Sequence, residues 1–238
     1  AVDAQDNLWI TDAAGATAKK ISPDGKVLMT IGTRGHRGDW DEAKGQRYLW
    51  EPLMVGFNAR GDIYIAQGHG HESPNDTDSS DPTNNSGAAR ILRLDKNGKF
   101  IQQWWGNAVG QGKFVMAHGF AVDPRNGDVY IGDREDYRVV VYTGDGKFLR
   151  TMPTRNLICA LYFDKQGNLW LASGWDGQFL RINKQTGQVL GAVGNGNGTG
   201  EGQFLEASYL AADSRGDLWT GDTARGRITK MVASQNRK

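Results

Sequence analysis

A short motif recurs five times along this chain: a turn that ends in Gly or Asp, then Asp or Asn, an aliphatic residue and an aromatic residue. The copies are Asp6–Trp9, Gly61–Tyr64, Gly127–Tyr130, Gly167–Trp170 and Gly216–Trp219. Their aromatic residues lie 55, 66, 40 and 49 positions apart, which is the spacing expected when each repeat is one four-stranded blade of a β-propeller. The repeats therefore predict an all-β propeller with five visible blades.

Composition and charge narrow the class of protein. The chain has 28 basic and 27 acidic residues, and neither sign forms a long block that would attract nucleic acid or an anionic membrane. No stretch approaches the roughly 20 apolar residues that a transmembrane helix needs. The length of 238 residues and the regular repeats predict one propeller domain over residues 1–238, without an internal boundary.

The first residues predict that the ring contains a further blade. Ala1-Val2-Asp3 has the pattern that closes an inner strand in the other repeats, so the chain begins inside a blade. A blade opened at its innermost strand exposes unpaired edges. We therefore expect six blades in the full-length protein, with the N-terminal blade missing or incomplete here.

One position at the start of each inner strand is a candidate for function. Aligning the repeats on the Asp that closes the inner strand places four residues at this position: Leu53, His118, Cys159 and Ser208. In a propeller this position lies beside the central channel, where a histidine can hold a metal or simply be hydrogen-bonded. Arg134 lies in the loop after the next strand, on the same face, and can clamp a carboxylate or pair with neighbouring acids.

The corresponding loop of the second repeat carries a long polar insertion. It begins with His69 and His71 and continues to Arg90 through several Asp and Asn residues. Two histidines near Glu72 can ligate a transition metal, and the Asp and Asn oxygens can hold calcium. The alternative is a solvated loop without a ligand.

The connectors between blades resemble those of NHL repeats. Gly110–Phe114 and Gly198–Phe204 resemble the G-x-G-x-F connector of that family. Three further segments, 114–119, 132–135 and 68–70, resemble the peptidyl-α-hydroxyglycine α-amidating lyase branch of NHL propellers. The resemblance implies a six-bladed propeller with zinc held by three histidines, a calcium ion in the channel, and secretion to the periplasm or the exterior.

The resemblance also implies roles for individual residues. By this resemblance His118 is expected to be a zinc ligand and Arg134 to bind the substrate carboxylate, while His69 stands where the family has a catalytic Tyr. The third ligand position carries Ser208, and the first falls before Ala1. The zinc set implied for this chain is therefore His118 with His69 or His71, and the implied reaction is metal-assisted C–N cleavage that yields an amide and glyoxylate.

Two other functions remain open. A non-catalytic propeller would capture a small molecule, peptide, glycan or protein partner at the channel mouth or in the insertion. A calcium-dependent lactonase-like propeller would use Glu51 and Glu206 near the channel, assisted by Asp133 or Asp222. Cys159 is either a soft metal ligand or, as a small buried side chain, part of the packing.

Overall fold

The computed structural model describes residues 1–68, 89–106, 112–134 and 136–232. Their strands form five antiparallel sheets of three or four strands, which are the blades, and one two-stranded hairpin; within each sheet every strand pairs with the next one along the chain. Within these residues there is no α-helix, only two short 3-10 turns, Glu42–Lys44 and Thr223–Arg225. The predicted all-β propeller with five visible blades is confirmed.

The strand bounds follow the repeats. Blade 1 contains β1 (Leu8–Asp12), β2 (Thr17–Ile21) and β3 (Val27–Ile31). A small hairpin connects it to blade 2, formed by β4 (Trp40–Asp41) and β5 (Gln46–Arg47). Blade 2 contains β6 (Pro52–Phe57), β7 (Ile63–Gln67), β8 (Arg90–Leu94) and β9 (Phe100–Trp105).

The remaining blades continue the same order. Blade 3 contains β10 (Ala117–Val122), β11 (Val129–Asp133), β12 (Arg138–Tyr142) and β13 (Phe148–Pro153). Blade 4 contains β14 (Ile158–Phe163), β15 (Leu169–Ser173), β16 (Gln178–Ile182) and β17 (Val189–Val193). Blade 5 contains β18 (Ala207–Ala212), β19 (Leu218–Asp222) and β20 (Arg227–Met231).

A recurring hydrogen bond explains the repeated Asp and Trp positions. The Asp that closes the inner strand accepts from the indole of the Trp six residues later: Asp3 from Trp9 at 3.1 Å, and Asp164 from Trp170 at 3.0 Å. The same carboxylates accept amide hydrogens of Asn7 and Asn168, which fixes the turn between the two strands. The motif therefore joins a turn to the blade core, because both ends of the turn bind one carboxylate.

In the part of the chain that the structure describes, a hydrophobic cluster holds together each pair of consecutive blades. Alternation along β7 shows how one strand serves two of them: Ile63 and Ile65 pack in the cluster shared with blade 1, and Tyr64 packs in the cluster shared with blade 3. Both faces of the strand are buried. The period of two residues thus places the aromatic residue of each repeat toward the next blade.

Blade 5 ends this series with an uncovered face. Trp219, the aromatic residue of its repeat, is 44 % exposed, and Ile228 on β20 is also exposed. Among the described strands, β18 and β1 do not pack against each other as the consecutive inner strands do. A further blade would cover these side chains, and the six-bladed ring stays a prediction.

A glycine at the contact between blades 3 and 4 gives a test of the packing. A Cβ atom added to Gly132 would lie 2.6 Å from Ile158 Cγ2 and 3.1 Å from the backbone Cα of Gly119. We expect Gly132→Ala to lower the free energy of unfolding by about 1–3 kcal/mol in urea denaturation. Gly191→Ala is the control, since nothing lies within 4 Å of its added Cβ. Equal stability of the two variants would contradict the close packing of these blades.

Candidate functional site at the channel mouth

Each inner strand from blade 2 to blade 5 begins with a β-bulge. The register shifts at one residue in each strand: Leu53, His118, Cys159 and Ser208. These are the four residues that the alignment of repeats placed at one position. A bulge turns a side chain away from the regular alternation of the strand. The predicted equivalence of the four positions is confirmed, and its physical cause is this bulge.

His118 is oriented by the neighbouring blade. Its Nδ1 lies 2.9 Å from the carbonyl oxygen of Cys159, the bulge residue of blade 4. A carbonyl oxygen only accepts, so Nδ1 carries a proton, and in the neutral imidazole the lone pair is then on Nε2. This arrangement is the one that prepares a histidine to ligate a metal or to accept a proton through Nε2.

Arg134 and His118 are brought together by their backbones. The amide hydrogens of both residues bond to the same carbonyl oxygen, that of Met116, at 3.3 Å from Arg134 N and 2.9 Å from His118 N. The Arg134 guanidinium lies 3.2 Å from Glu206 Oε1, and both side chains are largely buried. The loop after β11 and the start of β10 therefore meet at one face, as expected from their places in the blade.

Glu206 connects this arginine to blade 5. Its second oxygen, Oε2, accepts from the hydroxyl of Thr223 at 2.9 Å. Thr223 Oγ1 lies 2.6 Å from Ser208 Oγ, which also bonds to the carbonyl of Glu206 at 3.0 Å. We call His118, Arg134, Cys159, Glu206 and Thr223 the mouth cluster. It joins blades 3, 4 and 5 through one carboxylate.

Cys159 is the buried member of the mouth cluster. Its side chain is fully buried, with Sγ 3.7 Å from Glu206 Oε1. Burial raises the pKa of the thiol to about 12, against the opposing effect of the Arg134 guanidinium, and the Glu206 carboxylate raises it further. The thiol is therefore protonated at neutral pH, which favours the packing role over the metal-ligand role.

This burial predicts an unreactive thiol. Because Cys159 is the single cysteine of the chain, alkylation by iodoacetamide reports on it alone. We expect no adduct by mass spectrometry for the native protein at pH 8, and one adduct after unfolding in urea. Rapid alkylation of the native protein would show that the thiol is accessible or ionised.

The carboxylates expected for a lactonase-like site each bind other groups of the protein. Asp133 accepts from the amides of Val115 and Met116, both at 2.9 Å, and from Arg138. Asp222 accepts hydrogen bonds from the backbone amides of Leu205 and Glu206 and pairs with Arg227. Glu51 pairs with Arg37 at 3.2 Å. Within the described residues, the expected set of Glu51, Glu206, Asp133 and Asp222 forms no group of three able to hold a metal ion.

The residues expected to complete a zinc site are not brought to His118 in the described part of the chain. No group of three or more His, Cys, Asp or Glu side chains able to hold a metal occurs there. Ser208, at the third ligand position, is buried and bonded to Thr223 and to backbone. His69 and His71 lie outside the described residues. Of the proposed ligands, the described residues supply His118.

Sequence reasoning missed Thr223 and the link from Glu206 to Arg134. Glu206 stands two residues before the bulge residue, as Glu51 does in blade 2, whereas blades 3 and 4 have Met116 and Leu157 there. The sequence therefore singles out Glu206 together with Glu51, but not its pairing with Arg134. Thr223 follows the Asp that ends β19, as Arg134 follows the Asp that ends β11. Nothing in its local sequence marks it as a functional residue.

Comparison with known proteins agrees with the NHL-type propeller and the lyase resemblance. Residues 114–142 match the NHL repeat family model. The chain is 24 % identical over 253 residues to mouse peptidyl-glycine alpha-amidating monooxygenase, an alignment that covers 99 % of this chain and 23 % of the relative. It is 26 % identical over 199 residues to Drosophila melanogaster peptidyl-alpha-hydroxyglycine alpha-amidating lyase 1, covering 79 % of this chain and 32 % of the relative.

Solved structures support the fold. A Bacteroides caccae protein of unknown function superimposes with a TM-score of 0.62 at 14 % identity, covering 94 % of this chain and 73 % of that one. A catalytically inactive variant of Staphylococcus aureus virginiamycin B lyase with quinupristin gives a TM-score of 0.61 at 16 % identity, covering 99 % and 69 %. The chain thus spans under a third of these two curated relatives' lengths and about 70 % of the structural ones.

No helix of the described residues has the length and apolar character to cross a bilayer.

Proposed function

We infer that this propeller is a lyase that cleaves the C–N bond of N-acyl-α-hydroxyglycines, releasing an amide and glyoxylate at the mouth cluster. The observation that carries the proposal is the pairing of His118 and Arg134 on the carbonyl of Met116. Their side chains are linked through Cys159, whose carbonyl binds His118 Nδ1 and whose Sγ lies 3.7 Å from the carboxylate that pairs with Arg134, so a base and a carboxylate anchor share one face. The resemblance to amidating enzymes supports the same reaction.

The proposed reaction needs one base and one anchor. Arg134 binds the carboxylate of the substrate, and His118 Nε2 accepts the proton of the α-hydroxyl group. The electron pair of that O–H bond forms the carbonyl of glyoxylate as the C–N bond breaks, and the amide nitrogen takes the proton back from Nε2. General acid–base catalysis of this kind contributes roughly 10²- to 10⁴-fold.

Glu206 has a positioning role in this proposal. It holds the Arg134 guanidinium through Oε1 and is itself held by Thr223 through Oε2. A guanidinium fixed in this way loses less side-chain entropy when a ligand carboxylate binds. Contacts from blade 5 therefore orient the Arg134 guanidinium before the substrate binds.

Zinc remains a proposal, with His118, His69 and His71 as its ligands, and calcium remains a proposal without an identified site. The described residues do not by themselves fit a zinc site, so no step above passes through zinc.

The zinc proposal predicts stoichiometric zinc by elemental analysis of protein purified without chelators, and its loss in His118→Ala. His36→Ala, in the connector after blade 1, is the control. Zinc that survives in His118→Ala would overturn His118 as a ligand.

A binding function without catalysis is the second candidate. The observation that favours it is Ser208, whose bonds to Thr223 and backbone leave the implied third metal position without a ligand. In that case the mouth cluster holds a small-molecule or peptide carboxylate and breaks no bond. Such a protein binds N-acetylglycine through Arg134 and releases no glyoxylate from the α-hydroxylated analogue.

Product analysis separates the two candidates. Proton NMR of the protein incubated with N-acetyl-α-hydroxyglycine should show acetamide and glyoxylate appearing in equal amounts, faster than in buffer. A heat-unfolded sample of the same protein is the control for spontaneous decay. Decay at the buffer rate by zinc-supplemented native protein would overturn the lyase proposal and leave the binding function.

A further inference from the structure

The loop between β15 and β16 presents a tryptophan to solvent. Trp175 is 56 % exposed and does not belong to the hydrophobic cluster that joins blades 4 and 5. The loop occupies the same place in blade 4 as the Arg134 loop in blade 3 and the Thr223 loop in blade 5, each lying between the second and third strands. Trp175 is therefore on the face that carries the mouth cluster.

The Trp175 loop touches the mouth cluster through its first residue. Gly174 accepts a hydrogen bond from the amide of Ala207, the neighbour of Glu206, at 3.0 Å. A Cβ atom on Gly174 would lie 3.0 Å from Cys159 Sγ, which is itself 3.7 Å from Glu206 Oε1. Trp175 therefore follows directly after Gly174, the residue that contacts Cys159 and Ala207.

The same loop is held by a network of hydrogen bonds. Asp176 accepts from Ser173 Oγ and from Arg155 Nε, both at 2.6 Å, and from Asn156 at 3.2 Å. The amide of Gly177 bonds to the carbonyl of Gly174 at 3.0 Å. More than half of Trp175 is exposed on this fixed loop. The indole ring offers a large flat apolar surface at low entropic cost.

The charged groups around the Trp175 loop indicate which class of ligand group stacks on its indole ring. Arg155 is bonded to the next residue, Asp176, and Arg134 lies in the adjoining mouth cluster. Each of these guanidinium groups is paired with a carboxylate, Asp176 or Glu206, so the pairs supply no net negative charge that would favour a cationic ligand on the indole. A neutral aromatic or apolar group attached to a carboxylate meets both the ring and the arginine.

We propose that Trp175 is the specificity-determining residue of the mouth cluster, stacking on an aromatic or apolar N-acyl group of a ligand whose carboxylate is held by Arg134. The proposal rests on the carboxylate anchor of the proposed function. It adds a selection among acylglycines, by which N-benzoylglycine binds more tightly than N-acetylglycine. Both compounds lack the α-hydroxyl group, so their binding is measured without turnover.

Calorimetric titration of both acids tests the inference. We expect N-benzoylglycine to bind the unmodified protein roughly 10-fold more tightly, and Trp175→Ala to remove that preference while leaving N-acetylglycine binding unchanged. Trp175→Phe should keep most of the preference. Trp219→Ala is the control, because this exposed tryptophan lies toward the other end of its blade, bonded to Asp213.

The outcomes separate the inference from the function on which it rests. If Arg134→Ala weakens both acids and Trp175→Ala changes neither, the specificity role is overturned and the carboxylate anchor stands. An equal loss for both acids in Trp175→Ala also overturns it, because a general disturbance of the loop then explains the result. If neither acid binds the unmodified protein, the anchor and the specificity role fall together.

Discussion

Replacing Arg134 with alanine is expected to weaken the binding of N-acetylglycine by about 100-fold, because two charge-assisted hydrogen bonds to the carboxylate are lost. The guanidinium is largely buried beside Glu206, so a cation from the solvent does not take its place when the side chain is removed. Arg134→Lys should recover only part of the affinity, since an ammonium group lacks the planar fork. Isothermal titration calorimetry measures both variants.

Two controls make the Arg134 result interpretable. Arg225→Ala removes an exposed arginine from the equivalent loop of blade 5, where it bonds to the carbonyl of Thr199. Its affinity for N-acetylglycine should stay within about 2-fold of the unmodified protein, since this charge is screened by solvent. Thermal unfolding of Arg134→Ala checks that the blades remain assembled. Unchanged affinity in folded Arg134→Ala would refute the anchor.

The largest expected effect on stability is at Arg93. This arginine on β8 is almost completely buried and lies 2.7 Å from Asp62 Oδ2 in its own blade and 2.5 Å from Asp145 Oδ1 in blade 3. It also donates to the carbonyl of Gly144 at 2.9 Å, so it ties blade 2 to blade 3. We expect Arg93→Met to lower the free energy of unfolding by about 3–5 kcal/mol, because Asp62 loses its buried cation and keeps only the exposed Arg60 as a charged partner.

An exposed arginine on the same carboxylate provides the matched control. Arg60 lies 3.3 Å from Asp62 Oδ2, but its side chain is 71 % exposed. Arg60→Met should cost less than about 1 kcal/mol, as surface pairs do. Urea denaturation of both variants measures the difference. Equal losses would mean that burial does not set the strength of the Arg93 pair.

The pH dependence of the Arg93 effect has a definite sign. Burial raises the pKa of Asp62, but Arg93, Asn58 and Arg60 together outweigh burial and lower it. A carboxyl group with a lowered folded pKa stabilises the fold above its unfolded pKa of about 3.9, and that contribution is lost as the pH falls through the folded value. The stability difference between Arg93→Met and the unmodified protein should therefore shrink in acid below about pH 3.9.

The fold could be predicted from the sequence because each blade repeats one physical solution. The Asp that accepts from a Trp indole, the alternation of Ile63, Tyr64 and Ile65, and the bulge at His118 are all local features with fixed spacing. Aligning the repeats on that Asp was enough to place His118 and Cys159 at equivalent positions of their blades. Local chemistry therefore determined both the blade and the place of the candidate histidine.

The candidate site could be predicted only in part, since its contacts cross blades. Glu206 meets Arg134 from a segment 72 residues later in the chain, and no repeat pattern predicts which loops approach each other across the mouth. Trp175 lies in a turn with no aromatic counterpart in the loops after β1, β7 and β19. The proposed metal set depends on the insertion that carries His69 and His71, whose length has no equivalent in the other blades.

The central claim is that His118 and Arg134 perform one reaction, and kinetics on N-benzoyl-α-hydroxyglycine test it most directly. Glyoxylate release should show a loss in kcat of roughly 10²- to 10⁴-fold in His118→Ala, with KM close to that of the unmodified protein because Arg134 still binds the carboxylate. His36→Ala should retain full activity. Glyoxylate released by His118→Ala at the rate of the unmodified protein would contradict the account.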